Sequence, residues 1–331
     1  MSNCVLVLGS NSFAGSCTIK KLLEEKIQVI GISRTEEPSN IMLPHKWCKD
    51  QTNYRFLKLN INTEFESLKS LIQKHPPDYV IDFAGQGMVA ESWSNPYQWY
   101  QTNIVSKTKL HSVLLDNKKL KKYIRISTPE VYGNTVRPIS EEEAILNPST
   151  PYALSHACID QSLSLLHKQF GFPVVISRFA NFYGPGQQLY RIIPRTIIYG
   201  LEKKCLSLHG GGTSIRAFIH GSDVADGIFK LVQKGAIGET YHFSPDDFFS
   251  IKDVIELICR KIDVPFSTFV KTSADRIGKD SAYFMSSSKA NQKLGWKNKK
   301  SLDEGIDETV LWIKNNLNQI MKLPLEYIHK P

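Results

Sequence analysis

The 331-residue sequence has no long hydrophobic run. No apolar stretch approaches the roughly 18 residues that a membrane-spanning helix needs. The apolar residues 4–8 are too few for a signal peptide and lack a basic flank and a cleavage site. We therefore interpret them as a buried first strand and expect no membrane partner.

Cysteine patterns typical of metal sites are also missing. The six cysteines include no CxxC pair and no metal-like spacing with histidine: Cys4, Cys17, Cys48, Cys158, Cys205 and Cys259. Such cysteines are typical of reduced, packed thiols in a cytosolic protein. We expect no metal and a cytoplasmic location.

Acidic residues are outnumbered, and the formal net charge is +9. Much of the excess lies in Lys-rich helix faces such as 117–122 and 297–300. We interpret these stretches as solvated helix faces, and a general attraction for phosphorylated ligands is the alternative. We therefore predict no nucleic-acid partner.

Neither an internal repeat nor a low-complexity tract interrupts the chain. Short apolar runs instead alternate with amphipathic stretches, which is typical of βαβ units. The predicted strands are 4–9, 27–32, 55–59, 78–84, 122–127 and 173–178. The predicted helices are 14–25, 63–74, 97–116 and 151–170. After about residue 178 the pattern predicts irregular structure, followed by helices over 250–262 and 302–317.

The first strand leads into a glycine-containing turn, Gly9 to Gly15, and then a helix. Glycines at such a junction let backbone N–H groups approach a pyrophosphate at the helix N-terminus. The middle glycine of the usual spacing is Ser12, which weakens the motif, but its position between strand and helix supports it. The predicted dinucleotide contacts are Gly9, Asn11, Ser12, Phe13 and Gly15. A purely structural turn is the alternative.

These features predict an α/β fold, a Rossmann-type doubly wound parallel sheet with a smaller C-terminal α/β substrate lobe. We expect an NAD(P)-binding domain over 1–178, with a returning segment near 217–245. The second lobe is expected over 179–216 and 246–331.

The end of the second strand bears on the cofactor. An acidic residue there would hold the ribose 2′-hydroxyl of NAD, but the chain has Ser33 and Arg34, which suit a 2′-phosphate. We therefore expect NADP(H) to be favoured, with NAD(H) possible. A solvent-facing Arg34 is the alternative interpretation.

Three later stretches carry a resemblance to a known family: Ser127 to Gly133, Pro151 to His156, and Arg178 to Gly186. They resemble the extended short-chain dehydrogenase/reductase family, and within it the nucleotide-sugar 4,6-dehydratases and epimerases. The residues from Gly186 to Arg195 are most similar to the dTDP-glucose 4,6-dehydratase type. The resemblance covers nearly the whole chain, and it implies an enzyme that oxidises C4 of a nucleotide-diphosphate sugar to a 4-keto intermediate.

In this resemblance Tyr152 is the base for the C4 hydroxyl, with Thr128 bonded to the same hydroxyl. A tyrosine needs a nearby cation to ionise near neutral pH. The family places a lysine four residues later, where this chain has His156. Either His156 partly replaces that lysine, or the positive charge of the nicotinamide itself contributes more, or the site has degraded in an inactive homologue. On the first interpretation, His156→Lys should raise activity or lower the pH optimum.

The resemblance also makes Glu130 the base that removes the C5 proton of a 4-keto sugar. The neighbouring acid that helps to expel the C6 hydroxyl is replaced by Pro129, which can donate no proton. Glu130 itself or water could deliver that proton. The alternatives are C4 redox or epimerisation without dehydration, and a non-catalytic homologue that only binds nucleotide sugars.

The remaining site residues follow from the resemblance alone. The expected further cofactor contacts are Asn60, Ile61, Ala84, Gly85 and Asn103, in addition to Tyr152 and His156. The expected substrate contacts are Gln86, Asn181, Arg195 and Arg216, where an Arg fork suits paired phosphate oxygens. The family commonly dimerises through two long helices, here about 97–116 and 151–170, so a homodimer is expected. Apolar positions compatible with that contact are Leu110, Val113, Leu114, Leu163, Leu165 and Leu166.

Overall fold

A computed structural model describes residues 4–274 and 282–330. In chain order the strands are β1 Cys4–Leu8, β2 Gln28–Ser33, β3 Tyr54–Lys58, β4 Tyr79–Asp82, β5 Lys122–Ser127, β6 Val174–Phe179, β7 Asn181–Tyr183, β8 Leu206–His209, β9 Ile215–Arg216, β10 Phe218–His220, β11 Thr240–Phe243, β12 Phe249–Ser250 and β13 Val270–Ser273. The α-helices are α1 Phe13–Glu24, α2 Phe65–Lys74, α3 Pro96–Tyr100, α4 Lys107–Leu115, α5 Pro151–Phe170, α6 Ile192–Leu201, α7 Gly221–Lys234, α8 Ile251–Ile262, α9 Phe266–Phe269 and α10 Leu302–Ile320.

The main sheet is parallel and has the strand order β11-β6-β5-β4-β1-β2-β3. From β1 the chain builds outward through β2 and β3, then returns to the other side of β1 with β4. The strand order therefore reverses between β1 and β4. In open α/β sheets, ligands bind outside the carboxyl ends of the strands at such a point.

Alternation along β1 shows why a short apolar run becomes a central strand. Val5 and Val7 join one hydrophobic cluster, whereas Leu6 and Leu8 join the cluster on the opposite face of the sheet. A parallel strand covered on both faces needs apolar residues at every position. The predicted α/β fold with a parallel, doubly wound sheet is confirmed, and the first six predicted strands lie within two residues of the observed ones.

The irregular structure predicted after residue 178 is wrong at several elements, including two helices and an edge strand of the main sheet. Helices α6 and α7 and strand β11 lie there, and β11 pairs with β6 at one edge of the main sheet. Pro194 stands in the first turn of α6, where a proline is tolerated. Gly227 lies inside α7 because a Cβ there would be 2.9 Å from the Phe243 ring. Both residues are typical of loops in sequence, but here they serve packing.

The helix predicted over 97–116 has an interruption. A π-helical segment, Gln101–Ser106, joins α3 to α4. Such segments insert one residue into a helix and often occur at functional sites. Here the π-helical segment carries the fully buried Asn103.

A third hydrophobic cluster lies away from the main sheet. It is built by α6, α8 and α10, with Ile197, Ile258 and Ile306 among its fully buried members. Its elements come from the parts of the chain assigned to the second lobe. No helix within residues 4–274 and 282–330 is long and apolar enough to cross a membrane.

Candidate active site

A cavity of about 320 Å³ opens at the carboxyl edge of the sheet, between β1 and β4. Most of the predicted cofactor contacts line it: Gly9, Asn11, Ser12, Ser33, Arg34, Asn60, Ile61, Ala84 and Gly85. A larger cavity of about 470 Å³ lies beside the other ends of the strands, near Gln28 and Tyr54. Because it contains none of the predicted site residues, we place the candidate active site at the carboxyl edge.

The turn between β1 and α1 depends on one glycine and one serine. Gly9 has a φ of +78°, and a Cβ there would lie 2.8 Å from the backbone nitrogen of Ala84. Ser12 has an extended backbone that any residue can adopt. Its hydroxyl donates to the Gly9 carbonyl at 2.7 Å and accepts from the Gly15 N–H at 3.1 Å. The serine therefore caps α1 at the position where the motif expects a glycine.

Asn11 ties this turn to the end of β2. Its side-chain amide donates to the carbonyls of Thr35 and Glu36, both at 3.0 Å. Its backbone N–H donates to the Ser33 hydroxyl at 3.0 Å. Arg34 is half-buried at the cavity wall. The arrangement places the two residues expected to select the cofactor beside the predicted pyrophosphate turn.

The cavity fits a dinucleotide by its polar atoms as well as its position. Asn11 Oδ1 is buried and has no hydrogen-bond partner within the described residues. An orphaned acceptor of this kind requires a donor from water or a ligand. Together with the capped helix N-terminus, it forms a polar cradle suited to a ribose and phosphate. Two predicted contacts do not line the cavity. The Phe13 side chain packs with Cys17 and Ala225, and Gly15 lies so close to Ser12 that a Cβ there would be 2.8 Å from Ser12 Oγ.

The three residues expected to perform the chemistry meet at the end of β5. Thr128 follows β5 and accepts from the Glu130 backbone N–H at 3.3 Å, at the start of a 3₁₀ turn over Pro129–Tyr132. Tyr152 lies in the first turn of α5. Burial, and then the charge of Glu130, raise the pKa of Tyr152 to about 12, while a hydrogen bond from Thr128 lowers it. Thr128 and Glu130 therefore both act on Tyr152.

His156 lies one helical turn after Tyr152, and the two ring centroids are 4.6 Å apart. Its Nδ1 accepts a hydrogen bond from Arg125 Nη2 at 2.9 Å. A guanidinium can only donate, so Nδ1 carries no proton. Burial, and then the charge of Arg125, hold the pKa of His156 well below its usual range. The ring is therefore neutral, and the interpretation that it replaces the charge of a lysine does not agree with the structure.

Asn103 fastens the β4 loop to α5. Its Oδ1 accepts from the Gln86 N–H at 2.9 Å, and its Nδ2 donates to Ser155 Oγ at 3.0 Å. Ser155 in turn donates to the Tyr152 carbonyl at 2.7 Å. Since the amide is fully buried and bonded to protein, it positions the two segments rather than lining the cavity.

Two predicted substrate contacts meet through a residue that the sequence did not indicate. Tyr283 donates to Asn181 Oδ1 at 2.7 Å, and its ring lies under the guanidinium of Arg216 at 4.3 Å. The ring holds the planar guanidinium by a cation–π contact, and Arg216 Nη1 also donates to the Ile215 carbonyl at 2.8 Å. Asn181 and Arg216 therefore form one polar cluster.

The other two predicted substrate contacts are bound to the last residues of the chain. Arg195 on α6 pairs with Glu326 at 2.9 Å, and Gln86 donates to the Lys330 carbonyl at 2.7 Å. Between them, His329 stacks on the fully buried Trp99 with centroids 5.4 Å apart. Residues 326–330, the C-terminal segment, thus cross from α6 to the cofactor cavity, which Lys330 also lines.

Comparison with known proteins agrees with this geometry. The family model described as GDP-mannose 4,6 dehydratase matches residues 6–309. The chain belongs to this family. A probable dTDP-glucose 4,6-dehydratase of Sinorhizobium fredii is 31% identical over 330 residues, covering 94% of this chain and 93% of that protein. The predicted membership of the extended short-chain dehydrogenases, among the nucleotide-sugar dehydratases and epimerases, is confirmed.

Solved structures of both kinds of enzyme resemble this GDP-mannose 4,6 dehydratase family member. The dTDP-glucose 4,6-dehydratase of Streptomyces venezuelae, with NAD bound, has a TM-score of 0.88 at 26% identity and covers 96% of this chain and 98% of that one. The UDP-glucuronic acid 4-epimerase of Bacillus cereus, in complex with UDP-glucuronic acid and NAD, has a TM-score of 0.85 at 26% identity. That comparison covers 94% of this chain and 99% of the epimerase. The fold is thus shared by dehydratases and epimerases.

In this family member, sequence reasoning missed Arg125, Tyr283 and the C-terminal segment. Arg125 carried a usable signal, because a charged residue in the middle of a strand buried on both faces must have a partner. Tyr283 and the C-terminal segment carried none. Their contacts span 102 residues to Asn181 and 244 residues to Gln86, and nothing local in the sequence indicates them.

Proposed function

We propose that the chain catalyses the 4,6-dehydration of a nucleotide-diphosphate sugar through a 4-keto intermediate. The observation that carries the proposal is the meeting of Thr128, Glu130 and Tyr152 at the carboxyl end of β5, the strand next to β4 in the sheet. A phenol and a carboxylate at one site provide the two bases that successive removal of an O–H and a C–H proton requires.

Tyr152 takes the proton of the C4 hydroxyl as the carbonyl forms. Thr128, which is hydrogen-bonded to Tyr152, shares that hydroxyl. Acceptance and return of a hydride are supplied by a bound nicotinamide ring. The residues that would hold such a cofactor include Gly9, Asn11 and Ser12 in the turn after β1.

Glu130 then takes the C5 proton, which a C4 ketone makes acidic. Loss of the C6 hydroxyl as water needs one proton, and protonated Glu130 can return the one it took. Pro129 is buried at the start of the 3₁₀ turn and cannot donate. We therefore assign both the base and the acid of the dehydration step to Glu130.

Arg216 and Asn181 are proposed to bind the diphosphate of the substrate. Arg216 is 9% exposed and held flat against Tyr283, so little side-chain entropy is lost when it pairs with phosphate oxygens. On this proposal residues 1–178 and 217–245 hold the cofactor, and residues 179–216 and 246–331 hold the nucleotide sugar.

We propose that Arg34 turns the cofactor preference toward NADP(H). Similar structures contain NAD, and the half-buried Arg34 at the cavity wall is the feature that favours a 2′-phosphate here. Calorimetric titration of the wild type should give a lower Kd for NADP⁺ than for NAD⁺. Arg34→Asp should reverse that order, and equal affinities in the wild type would refute the preference.

A second candidate function is C4 epimerisation, or C4 oxidoreduction without dehydration. Pro129 favours it, because the site has no dedicated acid for the C6 hydroxyl. It shares the C4 oxidation step and differs in the fate of the ketone.

NMR of a panel of nucleotide sugars incubated with the purified protein distinguishes the candidates. Appearance of a C6 methyl signal identifies dehydration, which is the expected result. Inverted ring couplings with C6 unchanged identify epimerisation. Binding without any new signal would contradict catalysis and favour a non-catalytic homologue.

We also propose that the protein is a homodimer through α3 to α5, with contact residues that only partly match those first expected. Leu110, Leu114 and Leu163 are buried in the hydrophobic core of this chain. The exposed apolar side chains on this stretch are Tyr97, Val105, Leu154, Leu165 and Phe170, and only Leu165 was among the expected contacts. Sedimentation should give a dimer at micromolar concentration, and Leu154→Glu combined with Leu165→Glu should dissociate it. A monomeric wild type would exclude the proposal.

A further inference from the structure

A cluster of buried charges lies beneath the catalytic tyrosine. Its members are at most 5% exposed and come from five different elements: Asp82, Lys107, Arg125, Asp160 and Arg178. Arg125 stands opposite Asp82 in the register of β5 and β4. The side chains of Tyr123, Arg125 and Ser127 face this cluster, whereas Ile124 and Ile126 join the core on the other face of the sheet.

The two carboxylates of this buried charge cluster are each held by other groups besides Arg125. Asp82 accepts hydrogen bonds from Lys107 and from Tyr123, the latter at 2.5 Å. Asp160 accepts from Ser127 at 2.6 Å and from Arg178 at 2.8 Å. Arg125 lies farther away, 3.9 Å from Asp82 and 3.3 Å from Asp160. Three cations face two carboxylates, so the cluster keeps one net positive charge.

Arg125 directs that charge toward the active site through His156. Its Nη2 donates to His156 Nδ1 at 2.9 Å, and the His156 ring lies against Tyr152. The charged groups that act on His156 are Arg125 from β5, Lys107 from α4 and Arg178 from β6. All three are cations, and all oppose protonation of the ring.

Tyr152 itself is influenced by two cations, Arg191 first and Arg125 second, and by the carboxylate of Glu130. Arg191 is exposed, precedes α6 and rests on Tyr190, so solvent screens its charge. Arg125 is 1% exposed. Only Arg125 therefore combines a fixed position with weak screening.

We propose that Arg125 is a positioning residue for this site: it supplies the fixed positive charge that serves Tyr152 and holds His156 as the neutral Nε2–H tautomer. The proposal rests on the proposed role of Tyr152 as a base. On this proposal the positive charge near Tyr152 comes from Arg125 on β5, because His156 on α5 is neutral.

Nitrogen NMR of the cofactor-free protein tests the tautomer without any turnover. In the wild type His156, assigned by its loss in His156→Gln, should remain the Nε2–H tautomer from pH 5.5 to 8.5, roughly one to two pH units either side of an ordinary histidine pKa. In Arg125→Met the donor to Nδ1 is lost, so the Nδ1–H tautomer should appear as well, while Lys107 still pairs with Asp82 and Arg178 with Asp160. Arg191→Gln, the matched control, should leave the His156 signals unchanged. A His156 that titrates in the wild type, or that ignores Arg125→Met, overturns the proposal.

A charge exchange tests the effect on Tyr152. His156→Lys alone places an ammonium against the Arg125 guanidinium, and we expect it to lose activity and stability rather than gain activity. Arg125→Met should move the rising limb of the kcat–pH profile to higher pH. Each pH unit by which the limb moves should lower kcat at neutral pH about tenfold. The double variant Arg125→Met/His156→Lys should bring the limb back.

Arg125→Lys covers the case in which Arg125→Met does not fold, because it keeps the charge and should keep the limb near its original pH. The proposal would be overturned if the limb moved as far in Arg125→Lys as in an uncharged variant that folds, Arg125→Met or Arg125→Gln. Equal losses of kcat at all pH values in Arg125→Met, or failure of the double variant to recover, would also overturn it. If the wild type turns over no nucleotide sugar, the proposed function fails, and the NMR measurement still decides whether Arg125 fixes His156.

Discussion

Glu130 and Tyr152 act on each other as well as on a substrate. Burial is the main cause of the raised pKa of Tyr152, and the Glu130 carboxylate is the next. The carboxylate therefore opposes the first proton transfer, to Tyr152, although it is the proposed base for the second. In Glu130→Gln the negative charge is gone, and the pKa of Tyr152 should fall. The half-reaction that oxidises C4 should therefore begin at lower pH than in the wild type.

The same substitution removes the proposed C5 base, so the reaction should stop after C4 oxidation. In a single turnover with substrate and bound cofactor, the near-ultraviolet absorbance of reduced nicotinamide should rise and persist in Glu130→Gln. In the wild type it should be transient. Tyr152→Phe serves as the control, because it should produce no such absorbance. A transient signal in Glu130→Gln would assign the C5 proton to another residue.

At the scale of the element, Ser12 replaces a glycine of the motif and still caps the helix that follows. Its hydroxyl caps α1 and also bonds the Gly9 carbonyl. Ser12→Ala should reduce the free energy of unfolding by about 1 kcal/mol, since an N-cap is lost. Ser12→Gly should cost only a few tenths of a kcal/mol. Urea denaturation measures both, and a larger loss in the glycine variant than in the alanine variant would contradict this role for the hydroxyl.

The strands and the order of site residues along the chain could be predicted because they depend on local patterns. An apolar run such as 4–8 defines a strand, and Gly9 followed by a helix defines a turn. Helices α6 and α7 were missed because the glycine- and proline-rich turns at 184–186 and 210–212 dominate the pattern after residue 178. Pro194 and Gly227 lie inside these helices and fit there through their position and their neighbours in space. The neutral state of His156 depends first on its burial and then on Arg125, which is 31 residues away on another element. A contact between two elements cannot be predicted from the periodicity of the sequence.

At the scale of the whole molecule, buried histidines should make the protein sensitive to acid. Burial lowers the pKa of His111 and His242 to about 3 and that of His220 to about 4, and it also lowers those of His45 and His156. At a pH below the unfolded-state pKa of about 6.5, these histidines are protonated in the unfolded chain but stay neutral in the folded chain. Stability is therefore expected to fall as the pH decreases from about 6.5 toward 4, by up to about 1.4 kcal/mol per histidine per pH unit.

Urea denaturation at a series of pH values tests this expectation. The midpoint should be unchanged between pH 8 and 7, roughly above the titration range of an unfolded histidine, and should decrease steadily below pH 6.5. His242→Gln, which keeps a polar partner for Tyr132, should reduce the slope. A midpoint that is constant down to pH 5 would show that these rings take up protons in the folded state.

The C-terminal segment, residues 326–330, links the second lobe to the cofactor cavity, and its position has a measurable consequence. Lys330 lines the cavity and its carbonyl binds Gln86, while Glu326 holds Arg195 at the other end. We therefore expect the segment to occupy part of the space that a dinucleotide needs, so that a cofactor must compete with it. A variant that ends at Pro324 should bind NAD(P)⁺ with a Kd lowered about twofold or more, because the competent state no longer has to be populated first. Glu326→Gln, which weakens only the distant anchor, should give a smaller decrease in calorimetric titrations. Weaker binding by the shortened chain would instead make the segment a wall of the cofactor site that contributes contacts of its own.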